Sequence, residues 1–124
     1  MKVLLINGSP HGKGSTYTAL NEVAVTLEKE GIETEILHIG NEGIRGCIAC
    51  GKCREIGRCV FEDAVNIAAE KFEKADGVVI GSPEYYASAN GTLISFLDRL
   101  FYSTSRQFDK NMKVGAAVVS ARRG

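Results

Sequence analysis

Short apolar runs alternate along this chain with segments of helical periodicity, and few folds accept that alternation. "KVLLI" (2–6) and "GVVIGS" (77–82) are the continuous runs of strands buried on both faces. "ETEILHI" (33–39) alternates and is partly β-branched, and "KVGAAVVS" (113–120) supplies a fourth strand. Between the strands, Leu20, Val23, Ala24 and Leu27 fall on one helical face, with Gly31 as a stop signal. Val65, Ala68, Ala69 and Phe72 repeat the spacing in a helix from about Asp63 to Lys74. Leu93, Phe96, Leu97 and Leu100 do so in a third, with Asn90 or Thr92 as its cap. The order β-α-β-(Cys segment)-α-β-α-β predicts an α/β fold, a parallel sheet with helices on both faces.

With 124 residues and no repeat or linker, the chain is expected to form a single domain over 1–124, with a Cys-rich insert at 44–60. Lys+Arg and Asp+Glu balance at 15 each, which argues against a nucleic-acid partner. No apolar run approaches the roughly 20 residues of a membrane span, and "MKVLLINGSP" is too short for a secretory leader. The expected location is therefore the cytoplasm, where clustered thiols bind metal or do redox work more often than they staple a fold.

Ligands of open parallel sheets bind beyond the C-terminal strand ends. The cysteine segment leaves one such end, and three other loops do the same. "NGSPHGKGST" (7–16) joins a strand to a helix N-terminus and offers Ser9, Gly14, Ser15 and Thr16, a setting for an anion. It is not a Walker A loop, because Gly14 follows Lys13, and Tyr17 stands where a G-x-G-x-x-G loop needs its third glycine. A phosphate cradle of another kind, suited to a mononucleotide, competes with a plain solvated turn. "GSPEYYASANG" (81–91) combines Pro83, two tyrosines, Ser88 and Asn90, which suits a planar heterocycle. "SARRG" (120–124) puts two arginines at a strand end, or forms an exposed basic tail. His38 reads as structural.

All four cysteines lie in "GCIACGKCREIGRC" (46–59), spaced Cys47-x2-Cys50-x2-Cys53-x5-Cys59. Three closely spaced thiolates and a fourth nearby can surround a [4Fe–4S] cluster. Residues 44–60 carry Arg45, Lys52, Arg54 and Arg58 against Glu55, a net 4 − 1 = +3 that would offset the cluster's negative charge. Zinc fits less well, because four-cysteine zinc sites use two separated pairs. Free thiols or a disulfide remain the third reading.

"LLINGSPHGKGST" (4–16), "GSPEYYASANGTLISFLDRL" (81–100) and "SARRG" together resemble the NAD(P)H-dependent FMN reductases of the flavodoxin-like superfamily. "CIACGKCREIGRC" brings the chain close to the iron–sulfur flavoprotein branch. The resemblance implies a flavodoxin-like doubly wound sheet of order 2-1-3-4-5, here apparently truncated after the fourth strand, which would leave that strand an open edge. It implies FMN, with its phosphate held by Ser9, His11, Gly14, Ser15 and Thr16. The ring system would lie on Pro83, Glu84, Tyr85 and Tyr86, near Ser88, Asn90, Gly91, Ser120, Arg122, Arg123 and Gly124. His11 stands where the family often has Arg, and Glu84 where it usually has an apolar residue.

The implied activity is FMN-dependent oxidoreduction, with NAD(P)H as electron donor and the flavin, not a side chain, carrying the chemistry. FMN would exchange electrons with a possible [4Fe–4S] cluster on Cys47, Cys50, Cys53 and Cys59. Implied partners are a nicotinamide, a quinone-like acceptor or a ferredoxin-type protein, in a homodimer or homotetramer. The alternatives are a non-enzymatic flavodoxin-like electron carrier, an FMN reductase without a cluster, and a flavin-free metal-stabilised binding module.

Overall fold

Pleating decides which helix each side of a strand meets, because successive side chains point to opposite faces. In the computed structural model, which describes residues 1–111 and 113–122, the strands are β1 (Lys2–Asn7), β2 (Glu33–His38), β3 (Gly77–Pro83) and β4 (Val114–Ser120). The helices are α1 (Ser15–Lys29), α2 (Cys53–Ile56), α3 (Ala64–Lys74) and α4 (Gly91–Ser103). Leu5 and Val79 point to one face, where they pack with Leu20 and Ala24 of α1. Leu4, Ile6 and Val78 point to the other, against Val65, Ala68 and Phe72 of α3 and Leu93, Phe96 and Leu100 of α4.

The four strands form one sheet of order β2-β1-β3-β4, every pair parallel. This is the expected flavodoxin-like, doubly wound arrangement through its fourth strand. From β1 the chain winds to β2 on one side, and the next strand, β3, pairs on the other. The switch point therefore lies between the C-terminal ends of β1 and β3. β4 is an open edge among the described residues, with Val114 73% exposed. No helix among the described residues is long and apolar enough to cross a membrane.

The three expected helices form, α3 within a residue of its expected bounds, and α2 adds a single turn inside the cysteine segment. Asp63 is the N-cap of α3, its carboxylate accepting from Val65 N. Asn90 occupies the N-cap of α4 but its side chain makes no capping bond there, being engaged elsewhere.

The turn after β2 fixes the loop after β1. Ile39 N and Gly40 N both donate to Asn7 O, and His38 Nε2 donates to Ser9 O at 2.7 Å. Gly40 lies so close to this loop that a Cβ would fall 2.1 Å from Ser9 O and 2.3 Å from Gly8 O. Backbone cannot yield as a side chain can. Gly40→Ala is therefore expected to destabilise the fold by about 3 kcal/mol. Thermal unfolding monitored by circular dichroism checks this, and an unchanged midpoint would contradict the packing described.

Candidate functional site

At the switch point, three loops surround an open cavity of ≈ 390 Å³. Ser9, His11, Gly14, Ser15 and Thr16 line it from the first loop, and Pro83, Glu84 and Tyr85 from the second. Ser120, Ala121 and Arg122 close the third side. Parallel strands deliver all three loops to the same edge, so residues more than a hundred positions apart meet.

The first loop is held by its own short side chains. Asn7 Oδ1 accepts from Ser9 N at 3.0 Å, and Ser9 Oγ accepts from His11 N at 3.1 Å. These bonds turn the chain sharply into α1. The N-cap of α1 is Gly14, which has no side chain to satisfy the free N–H groups of the first turn. With the helix dipole, they form a positive end that faces the cavity. Thr16 Oγ1 and Ser120 Oγ lie 2.9 Å apart and tie the start of α1 to the end of β4.

The second loop extends β3. Glu84 N donates to Ser120 O at 2.8 Å, and Glu84 bridges Ala89 across an antiparallel turn. Ala87 adopts φ 56° in that turn, a left-handed conformation uncommon outside glycine. Tyr85 lines the cavity, whereas Tyr86 is 93% exposed and does not. Ser88 Oγ donates to Ala89 O, and Gly91 is the exposed first residue of α4.

Asn90, expected to line the site, is instead buried behind it. Its Nδ2 donates to Gly8 O at 2.6 Å, and its Oδ1 accepts from Ser82 Oγ at 3.1 Å. It thereby fastens the second loop to the first. Arg123 and Gly124 lie outside the described residues.

The cysteines form a second centre. All four line one small apolar cavity of ≈ 20 Å³ with Phe61, Tyr102 and Arg99. They are free thiols: Cys53 is buried, Cys59 half-buried, and Cys47 and Cys50 exposed. Among the described residues, no three His, Cys, Asp or Glu side chains are placed to hold a single metal ion. Ala49 N donates to Cys47 Sγ at 3.3 Å, from a residue with φ 54°. Asn66 grips Cys59 from α3, accepting from its N–H at 3.1 Å and donating to its carbonyl at 3.0 Å. Gln107 Nε2 donates to Cys53 O, and Gly57 at φ 78° ends the single turn of α2 that carries Cys53.

Arg99 was not anticipated. Its side chain on α4 is 1% exposed. Its five N–H groups find five acceptors: Cys59 Sγ at 3.4 Å, Arg45 O at 3.1 Å, Phe61 O at 3.2 Å, and the Asp63 carboxylate at 2.7 and 2.9 Å. Burial alone would lower the guanidinium pKa, but the bonds and charges of Asp63 and Cys59 outweigh it and raise the value above its ordinary one. The side chain is therefore cationic.

The basic residues of the segment itself behave otherwise. Arg58 is spent on Glu62 at 2.6 Å, Arg45 lies over the Phe61 ring, and Arg54 donates to Tyr102 Oη. The +3 counted over residues 44–60 thus omitted Glu62, just outside that window, and the one arginine that touches a cysteine. The available signal was an arginine three residues after Phe96, beside the apolar stripe of α4.

Comparison with known proteins agrees with this architecture. An iron-sulfur flavoprotein of Methanocaldococcus jannaschii is 36% identical over 122 residues, covering 95% of this chain and 61% of its own. One of Methanosarcina thermophila is 35% identical over 119 residues, covering 95% and 62%. The chain thus spans about three-fifths of the length of these relatives. RosB, solved with a bound 8-demethyl-8-formylriboflavin-5'-phosphate intermediate, superposes with a TM-score of 0.77 at 20% identity, over 100% of this chain and 53% of that one. At that identity the likeness shows the fold. The family model for NADPH-dependent FMN reductase matches residues 1–124, and the chain belongs to that family.

The role of Asn90 can be checked directly. Asn90→Ala removes the side-chain donor to Gly8 O and one of the bonds of Ser82 Oγ in a buried setting, at a cost of about 2 kcal/mol. Denaturant unfolding should show the lower midpoint.

Proposed function

We propose that this chain is the flavin-binding part of an FMN-dependent oxidoreductase of the iron–sulfur flavoprotein type, with FMN at the switch-point cavity and a [4Fe–4S] cluster on the four cysteines. The observation that carries the flavin half is the convergence of three loops on the uncapped start of α1. Ser9, Ser15, Thr16 and the first-turn N–H groups are hydrogen-bond donors suited to a phosphate dianion, with His11 beside them. Pro83 and Tyr85 offer flat apolar surface for a ring system, and Ser120 and Arg122 offer polar contacts at its rim. Bound FMN would exchange one or two electrons with its partners; the chain's residues hold and orient it.

Glu84 is exposed at the cavity mouth. A carboxylate there would oppose negative charge developing on a nearby ring, which makes it a residue that tunes the flavin's potential.

For the cysteines, the donor set fits the cluster. Each iron of a [4Fe–4S] cluster takes one protein thiolate, so the four sulfurs must ring a space rather than converge on a point. Cys47, Cys50, Cys53 and Cys59 all line one shared cavity, which supports that reading. A zinc ion would draw four sulfurs to about 2.3 Å of one centre. Two N–H donors aimed at sulfur, from Ala49 and Arg99, are the kind of contact that stabilises cluster thiolates.

This reading places the protein in the reducing cytoplasm as a homodimer or homotetramer. Its partner would be a nicotinamide, a quinone-like acceptor or a ferredoxin-type protein. Purification without oxygen, followed by iron, sulfide and flavin assays, tests it. About four irons per chain with bound FMN supports the full reading. Flavin without iron after reconstitution leaves an FMN reductase without a cluster, and failure to take up FMN refutes the flavin site. Anaerobic oxidation of NADH or NADPH by the loaded protein separates an enzyme from a passive carrier. Thr16→Val is expected to weaken FMN binding by about tenfold, measured by flavin fluorescence quenching, the loss of one phosphate-side hydrogen bond.

A further inference from the structure

We propose that Arg99, on α4 and 40 residues beyond the last cysteine, sets the reduction potential of a cluster held by Cys47, Cys50, Cys53 and Cys59. The inference rests on the cluster reading above.

Three observations carry it. Arg99 Nε donates to Cys59 Sγ at 3.4 Å, the one bond from a charged side chain to a cysteine sulfur among the described residues. Its side chain is 1% exposed and lines the cysteine cavity, so water screens its charge little. All its donors are engaged, so the guanidinium is held in one orientation. Reduction of the cluster adds one electron, supplied by flavin or by an added reductant, and makes the sulfur-rich site more negative. A fixed positive charge and an N–H bond to a ligand sulfur stabilise that reduced state more than the oxidised one. Arg99 therefore raises the potential.

Asp63 opposes it. The carboxylate neutralises much of the guanidinium's charge at 2.7 Å, while also capping α3. The pair acts as a balanced dipole, its positive end against Cys59. Removing either member must then move the potential in opposite directions. A purely architectural role for the same residues predicts no such sign difference.

The test is a spectroelectrochemical titration of the anaerobically reconstituted protein, with dithionite as reductant, on wild type, Arg99→Lys, Arg99→Met and Asp63→Asn. Asparagine preserves the helix cap, because it serves that position as well as aspartate. Iron and sulfide are assayed first. If the wild type takes up neither, the cluster reading fails and the proposal fails with it. In a cluster-bearing wild type, Arg99→Met is expected to lower the midpoint by at least a tenfold change in the one-electron equilibrium, about 59 mV. Arg99→Lys should lower it less, and Asp63→Asn should raise it. Should Arg99→Met fail to hold a cluster, Arg99→Lys and Asp63→Asn decide between them. Opposite shifts support the proposal; shifts of the same sign, or none, overturn it.

Discussion

The parallel pairing of four strands is the constraint from which the rest follows. Parallel strands need crossovers, so each β-to-α loop is delivered to one edge of the sheet. The order β2-β1-β3-β4 sends the chain to opposite sides of β1 and opens a crevice between β1 and β3. Packing then keeps that crevice fixed. Gly40 lets the end of β2 approach the Gly8–Ser9 backbone, and Gly81 leaves room for Leu20 of α1. Asn90 ties the second loop to the first.

The cysteine segment is held by a different device. Polar anchors reach into it from two helices. Asn66 of α3 binds both backbone groups of Cys59, and Arg99 of α4 binds the carbonyls of Arg45 and Phe61 together with Asp63. A buried arginine with every donor satisfied is costly to disturb, since removing it leaves the Asp63 carboxylate without its ion pair. One side chain thus couples the loop's shape to the electrostatics around its thiols.

Much of this was legible in the sequence. The strands declared themselves as short apolar runs, and the helices as stripes at Leu20 and Ala24, Val65 and Phe72, Leu93 and Leu100, because each faces a sheet. The three site loops followed from where strands end. What escaped were contacts that topology creates between distant residues. No periodicity reveals that Asn90 turns inward to Gly8, that Tyr86 points away from the cavity while Tyr85 lines it, or that Arg99 reaches Cys59. Counting charge within residues 44–60 pointed to Arg58, which the fold pairs with Glu62. Proximity in sequence was the wrong guide to proximity in space.

The most direct test of the account is a crystal structure of the anaerobically reconstituted protein with anomalous scattering recorded at the iron edge. The account predicts iron density within the ring of Cys47, Cys50, Cys53 and Cys59, and flavin density between the Ser9–Thr16 loop and Pro83–Tyr85. Iron bound elsewhere, or those thiols joined as disulfides beside an empty crevice, would contradict it.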